Sequence, residues 1–267
     1  MAGKSLKERL RSGEVCLGTH TYSASPGMVE VIGRAGFDWM LIDCEHAPAG
    51  PYDTLLLENL LRAAELSGAT PLVRVPENDE TMIMKVLDSG AAGVVVPHVN
   101  DGDSARRAVR ATRYPPSGTR GTCSNTRATG YYSRIRKEGD AFWESANAQV
   151  ITVVLVEEHK ALEKIEEIVS VPGIDVVYIG PRDLAMSMGE PDMNAPPVRE
   201  AIAHLTKVVS AKSIAIGRPF YYPNFASAAE LVREGTTFLA CTSDIRIFFE
   251  ACSHITSSVK EVLRSRH

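Results

Sequence analysis

Two textures alternate along the chain. Short apolar runs, rich in β-branched residues, are each followed by a stretch whose apolar positions recur every three or four residues. The runs read as strands buried on both faces, at 14–22, 39–43, 70–75, 93–99, 150–157, 175–180, 213–218 and 237–241. The stretches between them read as amphipathic helices. Ser25 with Pro26 marks one helix start, and Met28, Val29, Ile32 and Ala35 form its apolar stripe before Gly36. Asp53 caps a second, carrying Leu56, Leu57, Leu60, Leu61 and Ala64 up to Gly68. Further helices are expected at 81–89, 103–114, 161–169, 198–211 and 225–234. A short helix at 5–12 precedes the first strand, and a long one at 245–264 follows the last. Residues 115–147, rich in Gly, Ser, Thr, Tyr and Arg, read as a long excursion after the fourth strand.

Eight strand-then-helix units predict an α/β fold, a closed parallel TIM (β/α)8 barrel with a short N-terminal and a long C-terminal helix. The competing open doubly wound sheet is disfavoured, because no GxGxxG follows the first strand and there is no P-loop. With no linker or low-complexity segment, residues 1–267 are expected to form a single domain, close to the ~250 residues common for such barrels.

Composition adds limits. A hydrophobic content of 44%, a charged content of 23% and a net charge of -4 describe an ordinary globular chain. They give no reason to expect nucleic-acid or membrane partners. The five cysteines form no CxxC pair and no zinc spacing, which suits reduced thiols. The first residues lack the apolar core of a signal peptide, and no segment approaches the ~20 apolar residues of a membrane span. A cytoplasmic location is therefore expected.

In a barrel of this type, reactive groups stand at the C-terminal ends of several strands. Strand two runs straight into Asp43, Glu45 and His46. Strand three ends in Arg74, strand five in Glu157 and Glu158, and strand six leads into Asp183. Ionisable groups at the end of apolar runs are costly without partners, so this convergence predicts a site. Carboxylates beside a histidine and an arginine suit a hard divalent cation and an anionic substrate. Blander readings apply elsewhere. Glu158 and His159 read as a solvated helix start, and His98 beside Pro97 as structural. His20 faces either the mouth or the wall, and Tyr131 and Tyr132 either close over the site or meet another subunit.

The segments GFDWMLIDCEHAP (36–48), PLVRV (71–75), LDSGAAGVVVP (87–97), RYPPSGTRG (113–121), VPGIDVVYIGPRDLAMSMG (171–189) and TSD (242–244) resemble the HpcH/HpaI aldolase family over nearly the whole chain. The resemblance implies class II chemistry, in which a metal-dependent lyase cleaves a 4-hydroxy-2-oxo acid to pyruvate and an aldehyde through a metal-stabilised enolate. Glu157 and Asp183 would hold the cation, Mg2+ or Mn2+, with Co2+ a further candidate. Arg74 would contact the keto oxygen, and the backbone at Arg182 and Asp183 the substrate carboxylate. His46 would be the base, with Asp88 raising its basicity and Asp43 a second candidate partner. Glu45 would orient metal-bound water. One departure stands out: Leu155 occupies a position where the family commonly has glutamine, which suggests an altered or drier pocket. The resemblance also covers oxaloacetate-decarboxylating and macrophomate synthase-like enzymes, and Leu155 keeps a non-catalytic binding barrel as an alternative. A small-molecule 2-oxo acid partner and a homo-oligomer, a hexamer built as a trimer of dimers, are expected on the same basis.

Overall fold

The computed structural model describes residues 3–265. Eight parallel strands close into a barrel in chain order. They are β1 Cys16–Thr21, β2 Trp39–Asp43, β3 Thr70–Arg74, β4 Gly93–Val96, β5 Ile151–Val156, β6 Val176–Ile179, β7 Ala215–Phe220 and β8 Thr236–Ser243.

Side chains alternate along each strand, and the two faces separate cleanly. One apolar cluster fills the barrel, with Trp39, Leu41, Leu72, Val95, Leu155, Tyr178 and Phe238 among its members. Leu6 and Leu10 of the helix Leu6–Arg11 close its lower end. The second cluster lies between strands and helices, with Met40, Ile42, Val73, Val94, Val154 and Val177 facing out from the sheet. Trp39 and Phe238 stack at 3.8 Å across the barrel base, and the Trp39 indole N–H donates to the Cys16 carbonyl at 3.1 Å. Glycine at position 18 makes room for that ring, since a Cβ there would lie 2.0 Å from Trp39 Cδ2. Lys7 also seals the base. Its Nζ lies 3.1 Å from Asp175 and donates to the Val150 carbonyl at 2.7 Å.

Helix starts follow the capping chemistry of the sequence. Ser25, Asp53, Asp79 and Asn224 each accept from a backbone N–H three residues ahead, satisfying donors that the helix leaves open. Other boundaries moved. The fourth strand stops at Val96, so His98 leaves the sheet with a φ of 55°. The excursion 115–147 is not structureless, because it holds the helices Ser133–Glu138 and Ala141–Gln149, the second reaching just past it. Tyr131 binds Arg62 and Glu58 on the flank of the barrel. The last helix begins at Asp244. Its buried carboxylate accepts from the Tyr22 and Ser23 N–H groups at 2.9 and 3.1 Å, tying the loop after β1 to the rim.

Candidate active site

The strand register assembles the site. Asp43 and Arg74 are paired positions at the ends of β2 and β3. The Arg74 guanidinium binds both oxygens of the fully buried Asp43 and lies 3.0 Å from Glu45. Its Nη2 also donates to the Tyr22 hydroxyl at 3.1 Å. Burial alone would push Asp43 up. Arg74 and the N–H groups of Glu45 and His46 outweigh it and hold the carboxyl below its ordinary range. Arg74 is thereby fixed as a cation with one edge turned toward the barrel mouth.

Arg74, His46, Glu157, Asp183 and Arg182 line one cavity of about 220 Å³ at the C-terminal ends of the strands. Leu41, Val95, Leu155, Tyr178 and Phe238 also line it, an apolar lining contributed by the barrel interior, and His20, Tyr221 and Thr242 are polar members of its wall. Leu155 is paired in register with Tyr178. It can offer only apolar contact.

Glu157 is 4% exposed, and its carboxyl is pushed up to about 7. Burial is the main cause, and the Glu45 and Asp183 carboxylates add to it. The His98 N–H, donating at 3.1 Å, and the His98 ring oppose it. Asp183 lies in the first turn of the helix Pro181–Ser187. Its carboxylate has no ion pair among the described residues. The two acids line the same cavity as the Arg74 and Arg182 guanidinium groups.

His98, expected to be structural, stands among the carboxylates beside this cavity. Its ring lies 3.0 Å from Glu158, 3.4 Å from Glu157 and 3.6 Å from Glu45. It follows the apolar run of β4, which ends at Val96.

Other expected residues stand differently. The His46 side chain is 64% exposed, and its nearest carboxylate is Glu45 at 3.7 Å. Asp43 does not pair with the His46 ring; it accepts that residue's backbone N–H at 3.2 Å. Asp88 is not brought to His46 within this chain. It ends the helix Glu80–Asp88, which runs back from the mouth, and it pairs with Arg120 at 2.6 Å. A helix that returns antiparallel to its strand carries its C-terminus to the far end of the barrel, away from the catalytic mouth. Among the described residues, no cluster of three or more His, Cys, Asp or Glu side chains forms a ready metal centre.

The fold and this acid-lined mouth define a barrel enzyme whose reactive groups sit on strand ends. The profile of the HpcH/HpaI aldolase/citrate lyase family matches residues 17–251, and the chain belongs to that family. It is 33% identical over 260 residues to the hydroxypyruvate/pyruvate aldolase of Paraburkholderia phytofirmans, covering 96% of this chain and 97% of that one. It is 36% identical over 247 residues to a 2-keto-3-deoxy-L-rhamnonate aldolase of Escherichia coli, covering 92% and 89%. Among solved structures it resembles an HpcH/HpaI aldolase/citrate lyase family protein from Burkholderia cenocepacia, with a TM-score of 0.88 and 31% identity over 97% of this chain and all of the other. The protein is a carbon–carbon lyase of the aldolase type.

Proposed function

We propose that this protein is a metal-dependent aldolase that cleaves a 4-hydroxy-2-oxo acid into pyruvate and an aldehyde. The observation that carries this reading is the convergence of Arg74, His46, Glu157 and Asp183 on one cavity at the strand C-termini. The donor set fits a hard divalent cation such as Mg2+ or Mn2+. The charged form of the Glu157 carboxylate is disfavoured chiefly by burial and further by Glu45 and Asp183, and a cation would offset both with the oxygen ligands it prefers. Held by Glu157 and Asp183, it would supply positive charge where the electron pair of the breaking bond is stored.

The chain's own groups account for the remaining steps. Arg74, locked by Asp43, presents its guanidinium to the 2-oxo oxygen, and its preorganisation means no reorientation is needed as charge develops. His46, exposed at the rim, takes the proton of the C4 hydroxyl. The C3–C4 bond then breaks, the aldehyde carbonyl forms, and the electron pair passes to the C3 side. A proton returned to C3 completes pyruvate, so the reaction is redox-neutral and atom-balanced. Glu45, 3.7 Å from His46 and 3.0 Å from Arg74, orients the groups between them.

The test is release of pyruvate from 4-hydroxy-2-oxo acids with Mg2+ or Mn2+, abolished by chelator and restored by metal. Tight metal binding without turnover of any 2-oxo acid would remove the aldolase reading. No helix among the described residues is long and apolar enough to cross a membrane. A homo-oligomer and a cytoplasmic location complete the proposal, the first supported by the exposed apolar stripe of the helix Asp244–Arg264.

A further inference from the structure

We infer that Asp244, the first residue of the helix Asp244–Arg264, is a positioning residue: it holds the loop after β1 so that the Tyr22 hydroxyl meets Arg74 and fixes which edge of the guanidinium faces the cavity. This rests on the aldolase reading and adds to it a group outside the cavity lining.

The first observation is what the carboxylate holds. Asp244 is buried and forms no ion pair among the described residues. A buried charge without a cation is costly unless hydrogen bonds replace its water. Backbone N–H groups do so here: Tyr22 at 2.9 Å and Ile245 at 2.7 Å donate to Oδ1, and Ser23 at 3.1 Å donates to Oδ2. Capping of the helix alone does not explain this arrangement. Ser243 already caps it by accepting from the Arg246 N–H. Two of the N–H groups that Asp244 binds, those of Tyr22 and Ser23, belong to the β1 loop instead.

The second observation is what that loop does. Tyr22 lines the cavity, and its hydroxyl accepts from Arg74 Nη2 at 3.1 Å. The same Nη2, with Nε, binds Asp43, while Nη1 lies 3.0 Å from Glu45. Nη2 is therefore committed twice, and the donor left for a ligand is on Nη1. A carboxylate gripping Nε and Nη2 still lets the guanidinium rock about their shared edge. A contact from a different strand's loop removes that freedom. Burial, with Asp43 beside it, holds the Tyr22 hydroxyl well above its ordinary range, so it meets Arg74 as a neutral acceptor and leaves the cation's charge for a ligand. The third observation is the backbone between the two anchors. Ala24 has a φ of 49°, in the left-handed region that alanine disfavours. Such a residue persists where its surroundings hold it there. Asp244 grips the two residues before it, and Ser25, after it, is held by accepting from the Met28 N–H. Without the carboxylate the loop is free to relax and carry Tyr22 off Arg74.

The test is calorimetry with Mn2+, and then with oxalate on the Mn2+-loaded protein, oxalate being a 2-oxo acid mimic that cannot be cleaved. Asp244→Asn replaces one accepting oxygen by a donor, and Tyr22→Phe removes the hydroxyl. Each is expected to weaken oxalate about tenfold, the scale of one hydrogen bond to a charged group. Mn2+ affinity should stay within about twofold, because Glu157 and Asp183 are untouched. The double variant should bind oxalate within about twofold of the weaker single variant, because the two residues act along one path. If Asp244 only supported the helix, its loss would lower thermal stability and leave oxalate affinity unchanged, and that result overturns the inference. So do losses that multiply in the double variant, a Mn2+ affinity that falls as far as the oxalate affinity, or an unsubstituted Mn2+-loaded protein that takes no oxalate. Asp244→Ser suits a helix start but cannot span both loop N–H groups; it carries the same expectations and decides the matter if the amide variant does not fold. Oxalate affinities as expected, with no pyruvate released from any 4-hydroxy-2-oxo acid, would strike only the aldolase reading.

Discussion

Asp43 and Arg74 show how one buried residue can set the chemistry of another. Asp43 spends its acceptor capacity on Arg74 and on the Glu45 and His46 backbones, so the His46 ring is left to the rim. That division gives a sharp expectation. His46→Ala should lower aldol cleavage by at least about a hundredfold, within the range that a positioned acid–base group contributes. Metal affinity, read by calorimetry, should stay within about twofold, because no proposed ligand is touched; equal loss of both would deny His46 its role as base. His20 gives a pH signature. Its folded-state pKa, about 4, lies below its ordinary value of 6.5, so the unfolded chain binds the extra proton between those values. The contribution of His20 is therefore fully present above pH 6.5 and is lost as pH falls toward 4. Allowing for partial exposure to the cavity, the loss is about 2 kcal/mol. Thermal unfolding of His20→Gln should accordingly show a shallower acid slope than the unsubstituted protein. Parallel slopes would show that the histidine is not neutralised by its surroundings.

At the scale of the element, most strands were legible as apolar runs, because a barrel strand is covered on both faces, while β1 and β7 carry Thr, His and Arg within theirs. The ends were legible too where the run met a charge, as at Asp43, Arg74 and Glu157. Less visible were features set by three-dimensional direction. Asp88 sits in a recognisable motif, yet only the return path of its helix shows that within one chain its partner is Arg120. The helix Ala141–Gln149 was hidden in a polar stretch because Phe142 is its only buried side chain. Nothing in a run of Ser, Asn and Gln marks one face as the inner one. Gly18 is a third case. In sequence it is merely a weak strand former, but in the barrel it faces the Trp39 ring. Gly18→Ala would place a methyl 2.0 Å from Trp39 Cδ2, where indole and Phe238 are already stacked and cannot both shift cheaply. The expected cost is about 3 kcal/mol, at the upper end for overpacking. Chemical denaturation should show it, and a substitution costing under ~1 kcal/mol would mean the base is loosely packed.

For the whole molecule, the telling feature is the helix Asp244–Arg264. Its first residue is anchored by the Tyr22 and Ser23 amides, and Asp244 is its only buried residue. Ile245, Phe248, Phe249, Ile255, Val259, Val262 and Leu263 are all more than half exposed. They recur at spacings of three, four and seven, which places most of them along one stripe. An exposed apolar stripe on a long helix is normally covered by something. A symmetric assembly covers such a face with an identical one, because the same surface is present on every copy. The net charge of -4 spread over 267 residues offers little self-repulsion to oppose this. The paired substitution Phe248→Ser with Phe249→Ser removes two aromatic anchors from the stripe while leaving the barrel core and the mouth untouched. Light scattering after size-exclusion chromatography is expected to show an oligomer for the unsubstituted chain and a smaller species for the variant. A monomer in both cases would mean that this helix does not join copies of the chain. If the variant dissociates yet still cleaves its substrate, the mouth is complete within one barrel; if activity falls with dissociation, a neighbouring copy supports the rim around His46, the most exposed of the proposed catalytic groups.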